Sequence, residues 1–236
     1  MKLNELKFEK IGAVVRRAIR RSGIPSSYHL AFANQLFELG RWMREQGVAP
    51  EFKTHYEFYE YLNNGVLRDC PIDFFEFGVW KGNSLRQWTL INIHPESRFY
   101  GFDSFEGIPE DWKHPIGKHP KGSWTAGGAL PDIKDHRVRF IKGYFQDTLS
   151  GFISDNKLSS RRRVIHCDAD LYSSTLYVLV TMHPLILPGT IIIFDEFNSV
   201  MDEFRAFSDY VLAFRRQFRL LASAEPYFTR VAIEMT

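Results

Sequence analysis

Cysteine is scarce in this chain, and neither an excess of one charge nor an apolar run of membrane length is present. The 236 residues include two cysteines, Cys70 and Cys167, each beside a predicted strand. This usage is typical of buried thiols in a reducing compartment and not of a disulfide framework. The net charge of +2 favours no polyanionic partner such as nucleic acid. Because the charged start of the sequence also lacks the apolar centre of a secretion signal, we expect a cytoplasmic protein that binds neither nucleic acid nor membrane.

Two familiar ligand-binding motifs are missing as well. No Cys or His residues are paired at zinc spacing, which argues against a structural zinc site. The dinucleotide fingerprint G-x-G-x-x-G is absent too, because Trp80 occupies the place of its second glycine. A bulky side chain at that place resists the close approach of a pyrophosphate. A dehydrogenase that transfers hydride is therefore disfavoured.

Residues 71–88, with the sequence PIDFFEFGVWKGNSLRQW, predict a strand, a tight turn and a helix. Phenylalanines supply the strand character, Gly78 and Gly82 free the turn from Cβ atoms, and the polar residues that follow can cap the helix. Such a turn at the carboxyl end of a parallel strand is where doubly wound sheets hold nucleotide-like ligands. The pattern E-x-G-x-x-x-G also fits an ordinary structural turn, so alone it leaves both interpretations open.

Before this stretch the sequence predicts helices, and after it strands and helices alternate. Apolar residues at helical spacing predict helices over 3–21, 26–46 and 52–62. The third is unusually aromatic; such residues pack a core more often than they floor a pocket. Further strands are predicted at 98–102, 138–142, 164–167, 191–194, 220–222 and 229–234, the last two as an antiparallel edge. We predict an α/β fold with a mostly parallel sheet, with residues 1–66 as a helical cap and residues 67–236 as the main domain.

A long segment between two of these strands has no regular pattern. Residues 105–135 contain more proline and glycine than a helix or strand tolerates, and they carry Trp112 and Trp124. A loop of this length inside a compact domain is usually functional and often a lid. We therefore expect this segment to cover a binding site.

Acidic residues stand at or just beyond the carboxyl ends of the predicted parallel strands, which should bring them to one rim of the sheet. They are Glu76, Asp103, Asp168, Asp170, Asp195 and Glu196. Clustered carboxylates repel unless a cation or a hydroxylated ligand stabilises them. Glu76 and Asp103, with the turn at residues 76–84, form what we call the ligand half. An acid at such a strand end can accept hydrogen bonds from both hydroxyls of a ribose diol.

Asp168, Asp195 and Glu196 form what we call the chemical half. Three carboxylates at two strand ends make a hard oxygen ligand set suited to Mg²⁺, Mn²⁺ or Ca²⁺. The alternative is that Asp168 and Asp170 cap the helix predicted after them and that Glu196 is solvated. His166, inside its strand, is more typical of a satisfied core residue than of a catalyst.

Five segments in order resemble one known family: FFEFGVWKGNS, YGFDSFEGIPEDW, GYFQDTL, IHCDADLYSST and LPGTIIIFDEF. Over residues 71–197 they are similar to the TylF/MycF-like family of class I S-adenosylmethionine (SAM)-dependent methyltransferases, which includes macrolide-sugar and aminocoumarin O-methyltransferases. The resemblance implies a Rossmann-like, seven-stranded, mostly parallel sheet flanked by helices, with SAM at the turn. Two positions depart from the family, because Glu196 stands where an aspartate is common and Ala169 where a glycine is common.

The resemblance also implies roles for individual residues. The SAM-binding positions would be Glu76, Phe77, Gly78, Val79, Gly82, Ser84, Asp103, Ser104, Gly143, Phe145, Gln146 and Asp168. Asp103 would bind the ribose hydroxyls, and residues 143–146 would approach the adenine. Asp168, Asp195 and Glu196 would hold the divalent ion that orients substrate hydroxyls in this family.

These inferences lead to one hypothesis, the metal-assisted transfer of a methyl group from SAM to a hydroxyl of a sugar or another small natural product. Asp168 is the first candidate for the base that removes the hydroxyl proton, and Asp170 is the second. The larger contribution of the protein is to align oxygen, methyl carbon and sulfur. The 105–135 segment would close over the acceptor and exclude water.

Three other interpretations remain. Asp168 and Asp170 form a D-x-D arrangement with which many glycosyltransferases hold a metal and a nucleotide sugar, although the turn and Asp103 would then have no role. A catalytically inert SAM-fold assembly subunit would have no need for clustered carboxylates. A nucleic-acid methyltransferase is disfavoured by the balanced charge and by the missing N/D-P-P-Y tetrapeptide. The sequence leaves open whether the N-terminal helices mediate a homodimer or a larger oligomer.

Overall fold

The computed structural model describes residues 28–114, 117–156 and 160–236. The helix predicted over 3–21 therefore lies outside the described residues. The helices are α1 (Tyr28–Glu45), α2 (His55–Glu60), α3 (Asn83–Ile91), α4 (Phe145–Asp155), α5 (Tyr172–Met182) and α6 (Glu203–Ala213). A π-helical turn (Tyr61–Leu67) extends α2, and short 3-10 turns lie at His183–Leu185 and Pro226–Phe228. Within the described part of the chain, no helix is long and apolar enough to span a membrane.

Most of the strands belong to a single sheet. They are β1 (Glu51–Phe52), β2 (Ile72–Phe77), β3 (Arg98–Asp103), β4 (Trp112–His114), β5 (Gly117–His119), β6 (Val138–Lys142), β7 (Arg162–Cys167), β8 (Ile191–Phe194), β9 (Phe218–Ala224) and β10 (Arg230–Met235). The sheet has eight strands in the order β1-β9-β10-β8-β7-β2-β3-β6, while β4 and β5 form a separate hairpin. The strands from β8 to β6 run parallel, whereas β10 is antiparallel to both β8 and β9.

The strand at the centre of this order, β2, is buried along its whole length. Because side chains alternate along a strand, Phe75 and Phe77 join the core formed with α1, α4, α5 and α6, while Phe74 joins the core formed with α2 and α3. Glu76 lies on the same face as Phe74. A strand with apolar residues on both faces is expected where helices cover both sides of a parallel sheet.

The predicted fold class is confirmed, together with the antiparallel pairing of the last two strands. The strand count differs from the expected seven, because β1 arises inside the predicted cap and pairs in parallel with Ser223 and Ala224 of β9. Two residues carry too little periodicity to be predicted as a strand. As a result β9 is not an edge strand. The domain boundary after residue 66 stays a prediction.

One feature of the 105–135 segment corrects the expectation that it holds no regular element. Strands β4 and β5 pair in antiparallel register, with Trp112 opposite His119. A strand of three residues is too short to show an alternation of apolar and polar residues. The segment was therefore predicted to be irregular from its proline and glycine content alone. The segment is therefore a long loop that carries a small hairpin.

Candidate active site

A cavity of about 350 Å³ opens at the carboxyl ends of the parallel strands. Most of the residues predicted for the site line it: Gly78, Val79, Ser84, Asp103, Ser104, Phe145, Gln146, Asp168, Asp170, Asp195 and Glu196. The cavity is of the size that small-molecule sites have in proteins. The structure thus joins the ligand half and the chemical half in one space.

The turn after β2 has glycine at its first position for a steric reason. Gly78 has φ +95°, and a Cβ atom there would lie 1.6 Å from the carbonyl oxygen of Asp168. No real Cβ contact is that short, so only glycine allows β2 and β7 to end side by side at this point. The close approach places the backbone of the turn directly against the start of the chemical half.

Asp103 holds the turn in place from the end of β3. Its Oδ2 atom accepts hydrogen bonds from the backbone N–H groups of Val79 at 2.8 Å and Trp80 at 2.7 Å. Its Oδ1 atom accepts one from the N–H of Phe105 at 2.6 Å. A carboxylate offers about four acceptor sites, so Asp103 can still accept a hydrogen bond from a ligand hydroxyl.

Glu76 is fully buried and only half satisfied. Its Oε1 atom accepts hydrogen bonds from Ser84 Oγ and from Nδ1 of His166, the latter at 3.2 Å. Its Oε2 atom is buried and has no hydrogen-bond partner among the described residues. Burial raises the pKa of Glu76, although the bonds from His166 and Ser84 oppose this. A buried acceptor without a partner is costly, so Oε2 is suited to a donor group of a ligand.

Asp168, Asp170 and Glu196 form a group that we call the acid cluster. One carboxylate oxygen from each lies within 4.8 Å of the others. Burial, and then the neighbouring carboxylates, raise the pKa of Asp168 and Glu196 well above the ordinary value. The same causes raise the pKa of Asp170 to about 7. Like charges this close destabilise one another, so the acid cluster favours a proton or a cation.

Asp195 differs from the acid cluster because it has basic partners. Arg230 donates to its Oδ1 atom from Nε at 2.6 Å and to its Oδ2 atom from Nη2 at 2.8 Å. Nε2 of His166 lies 3.5 Å from Oδ1. Burial alone would raise the pKa of Asp195, but His166 and Arg230 lower it. Of the three predicted metal ligands, Asp168 and Glu196 lie together in the acid cluster. Asp195 is held by a guanidinium, but with His166 and Asp168 it forms a second group whose possible ligand atoms lie within 4.8 Å of one another.

The acid cluster fits a hard divalent cation. Glu196 Oε2 and Glu203 Oε1 are buried and have no hydrogen-bond partner among the residues that the structure describes. The possible ligand atoms of the acid cluster are all carboxylate oxygens, which suit Mg²⁺, Mn²⁺ or Ca²⁺ better than softer metals. Glu203, the first residue of α6, also accepts a hydrogen bond at 2.9 Å from the backbone N–H of Glu196. This bond helps to fix the backbone position of Glu196 in the acid cluster.

Four of the predicted SAM-binding residues do not line the cavity: Glu76, Phe77, Gly82 and Gly143. Glu76 and Gly82 lie one layer behind it. The ring of Phe77 is fully buried on the opposite face of the sheet and stacks on Phe102 at a centroid distance of 4.8 Å. Any contact between Phe77 and a molecule in the cavity would have to involve its backbone.

The 105–135 segment is docked over the site by contacts with three other elements. Trp112 Nε1 donates a hydrogen bond at 2.9 Å to Asp202, just before α6. Ser173 Oγ of α5 donates to Glu110 at 2.5 Å, and Tyr28 Oη of α1 donates to the carbonyl of Lys113 at 3.0 Å. These bonds hold the described part of the segment against α1, α5 and the residue before α6.

Several cavity residues were not predicted from the sequence. His55, Tyr56 and Tyr59 come from α2, whose aromatic residues were expected to pack a core, and Tyr59 does so while also reaching the cavity. The aromatic density of α2 was the only signal. Arg230 opens β10 and belongs to no motif, so only the sheet order brings it to Asp195.

Comparison with known proteins gives a matching family and several relatives. The model of the methyltransferase-domain family Methyltransf_24 matches residues 75–197, more than half of the chain. The 8-demethyl-8-(2,3-dimethoxy-alpha-L-rhamnosyl)-tetracenomycin-C 4'-O-methyltransferase of Streptomyces olivaceus is 32% identical over 58% of this chain and 58% of that protein. Demethyldecarbamoylnovobiocin O-methyltransferase of Streptomyces niveus is 28% identical over 60% of this chain and 61% of that protein. The match thus spans less than two thirds of the length of these relatives.

Solved structures share the fold. The O-methyltransferase NovP has a TM-score of 0.60 and 22% identity over 77% of this chain and 79% of its own. CalS11, a calicheamicin methyltransferase, has a TM-score of 0.59 and 19% identity over 94% and 90% of the two chains. At this level of identity the likeness shows the fold alone, which is the Rossmann-like class I methyltransferase fold.

Proposed function

The chain belongs to the Methyltransf_24 family of methyltransferase domains, and from this premise we propose that it transfers the methyl group of SAM to a hydroxyl of a small molecule. We assign it more finely to the TylF/MycF-like O-methyltransferases. The observation that carries the proposal is the cavity, where the turn and Asp103 stand beside a cluster of carboxylates.

The ligand half fits SAM. When bound, SAM supplies a methyl group activated by a sulfonium sulfur. Gly78 lets the turn pass against the backbone at the end of β7, and Asp103 fixes the turn while keeping acceptor capacity for a ribose hydroxyl. Glu76 does not line this space itself, but its Oε1 atom accepts a hydrogen bond from Ser84, which does.

We propose that Asp168 and Glu196 hold a divalent ion, Mg²⁺ first and Mn²⁺ or Ca²⁺ as alternatives. Such an ion would lower the pKa of an acceptor hydroxyl and fix the position of its oxygen. Asp195 is the third predicted ligand, but Arg230 already engages both of its oxygens. Asp170 lies in the acid cluster with the other two and competes for the third position.

A base is needed because the hydroxyl loses its proton as the carbon–oxygen bond forms and the carbon–sulfur bond breaks. Asp168 is the first candidate, since it lines the cavity and its pKa is raised by burial and by Asp195 and Glu196. Asp170, with a pKa of about 7, is the second. A base whose pKa lies near the working pH is effective at taking a proton.

A sugar hydroxyl in natural-product biosynthesis is the acceptor that we favour. The Streptomyces olivaceus relative is named for a rhamnosyl-bearing substrate, and CalS11 is titled a TDP-rhamnose 3'-O-methyltransferase. Half-exposed Tyr56 and Trp124 line the cavity, and aromatic faces of this kind pack well against the apolar faces of sugar rings. The 105–135 segment would cover the acceptor and exclude water. The cytoplasmic location and a dimer through the N-terminal helices stay predictions.

The test is an assay with purified protein, SAM, Mg²⁺ and a panel of acceptors. The panel contains TDP-rhamnose, a rhamnosylated aromatic compound, a catechol and UDP-glucose, and mass spectrometry detects methylated product together with S-adenosylhomocysteine (SAH). We expect methylation of at least one sugar acceptor. Calorimetry run in parallel must show binding of SAH, and a protein that binds nucleotide sugars but not SAH would support the glycosyltransferase alternative instead.

A further inference from the structure

His166 lies between the ligand half and the chemical half and contacts both. Its ring is fully buried on β7, with Nδ1 3.2 Å from Glu76 Oε1 and Nε2 3.5 Å from Asp195 Oδ1. In the sheet register His166 stands beside Glu76 on one side and Ile193 of β8 on the other. The imidazole therefore spans the two strands that carry the two halves.

We propose that His166 is a positioning residue that fixes the SAM-binding half of the site relative to the acceptor-binding half through Glu76 and Asp195. The proposal rests on the proposed function, because it assigns a role within that reaction. It goes further by giving a role to a residue that does not line the cavity, that was predicted neither to bind SAM nor to bind the metal, and that the sequence indicated only as core.

We call the contacts of His166 with Glu76 and Asp195 the bridge. Further contacts of Glu76 and Asp195 connect the bridge to residues that line the cavity. Glu76 also accepts a hydrogen bond from Ser84, which stands in the first turn of α3 and lines the cavity. Asp195 is bound by Arg230, which also lines the cavity and pairs in turn with Glu225. A continuous series of polar contacts thus runs from Ser84 through His166 to Arg230.

The ring of His166 has little freedom to leave this position. Tyr59 meets it edge to face at a centroid distance of 5.7 Å, and Tyr59 Oη lies 3.4 Å from Nε2. Phe74 packs on another side at 6.2 Å. A buried histidine with a purely structural role needs one hydrogen-bond partner for each ring nitrogen, and that partner can come from any part of the fold. This one joins carboxylates of two different subsites, and removing it would leave both buried with fewer donors.

The consequence for the reaction is alignment. Methyl transfer requires oxygen, carbon and sulfur to lie in line at near-attack distance, and a misplacement of about 1 Å can cost about 100-fold in rate. The two reactants are held by different strands. A rigid link between Glu76 and Asp195 therefore sets the offset between the cofactor and the acceptor.

The experiment is a double-mutant cycle between His166 and Asp195, read as the dissociation constant of SAH by calorimetry in the presence of EDTA. SAH probes the ligand half alone, and EDTA removes any contribution of a metal. Asp195→Asn should weaken SAH binding about three- to tenfold although Asp195 belongs to the other half, and His166→Gln should weaken it about tenfold. The double variant should bind SAH no more weakly than His166→Gln does.

Val164→Ala is the matched control. Val164 is fully buried two residues before His166 on the same face of β7, and its apolar side chain forms no hydrogen bond with either half. It should lower the melting temperature through a cavity while changing SAH affinity less than about twofold. If His166→Gln does not fold, His166→Asn, which also keeps an amide donor, replaces it in the cycle. The effect of Asp195→Asn alone on SAH affinity can be measured without any variant of His166.

Each outcome decides something. A wild-type protein that fails to bind SAH contradicts the proposed function before any variant is made. If the wild type binds SAH but Asp195→Asn leaves the affinity unchanged, or if the effects of the two substitutions add, the bridge is overturned and the proposed function stands. An equal loss of affinity in Val164→Ala would reduce His166 to a structural residue.

Discussion

The ligand half and the chemical half of the site are built on opposite electrostatic principles. In the ligand half nearly every polar group has a protein partner: Asp103 accepts three backbone N–H groups, and Glu76 is bound by Ser84 and His166. In the chemical half, the acid cluster gathers carboxylates whose pKa values are raised by burial and by one another. The ligand half lacks a partner only at Glu76 Oε2 among the polar groups named here, whereas the acid cluster is stabilised only when a proton or a cation joins it.

The contrast shows how one rim of a sheet serves two ligands. A cofactor that a whole fold class shares can be bound by a turn with a fixed backbone geometry, such as the turn at residues 76–84. An acceptor hydroxyl that must lose a proton needs a carboxylate able to take it. Repulsion from neighbouring carboxylates raises the pKa of that group and so makes it a better base. Substitutions in the ligand half and in the acid cluster should therefore have separable effects, on SAH affinity in the first and on turnover or cation response in the second. Asp195 is the exception, because His166 links it to Glu76.

The largest expected effect is that of Asp168→Asn. The amide keeps the shape of the side chain but cannot take the hydroxyl proton, so kcat should fall about 1,000-fold with the acceptor that the panel identifies. SAH affinity should change less than about twofold, because the ligand half keeps its own contacts. The exposed residue Asp132, converted to Asn, serves as control. A variant that retains turnover would remove Asp168 from the mechanism.

Asp103→Asn should have the complementary effect. An amide oxygen can replace only part of the carboxylate that holds the N–H groups of Val79, Trp80 and Phe105. We expect SAH to bind about 30-fold more weakly, which corresponds to about 2 kcal/mol. Calorimetry measures this directly, and Mg²⁺ should raise the melting temperature of the variant by as much as we expect for the wild type. An unchanged SAH affinity would separate Asp103 from the ligand site.

Cations should stabilise the chemical half. Mg²⁺ at about 100 times its dissociation constant contributes about 2.7 kcal/mol, which corresponds to about 5–10 °C in melting temperature for a chain of this size. Glu196→Gln should remove most of this shift because it neutralises one member of the acid cluster and takes a ligand away. Scanning fluorimetry with Mg²⁺, Mn²⁺ and Ca²⁺ gives the comparison. Equal shifts in the wild type and in the variant would place the cation elsewhere.

The pH dependence of stability should change in Asp170→Asn. The pKa of Asp170 is about 7 in the folded protein and has the ordinary aspartate value of 3.8 in the unfolded chain, where the side chain is exposed. Its stabilising contribution is therefore complete below pH 3.8 and lost as the pH rises through 7. Without metal, the wild type should therefore lose stability relative to Asp170→Asn between pH 5 and pH 8, by about 3 °C or more. Melting temperatures of both proteins in EDTA across this range test the sign. A difference that stays constant with pH would contradict the raised pKa.

Local signals were sufficient to predict that Gly78, Asp103 and the acids of the chemical half lie at one rim of the sheet. Gly78 and Asp103 lie at the carboxyl ends of predicted strands. Because strands and helices alternate along the sequence, the sheet was predicted to be parallel, and the carboxyl ends of its strands therefore lie at one rim. What sequence could not supply is contacts between residues far apart in the chain. Arg230 meets Asp195 only because β10 inserts antiparallel beside β8, and Tyr59 meets His166 only because α2 packs over that face. For the same reason Asp195 was expected among unpaired carboxylates, although a guanidinium holds it.

The most direct test of the two-half site is anomalous diffraction from crystals grown with Mn²⁺ and SAH. We predict SAH density along Gly78 and Asp103 and a manganese peak bound by the carboxylates of Asp168 and Glu196, with Asp170 or Asp195 as the third ligand. SAH bound away from the turn, or no manganese peak within the acid cluster when both are supplied at saturating concentrations, would contradict the account.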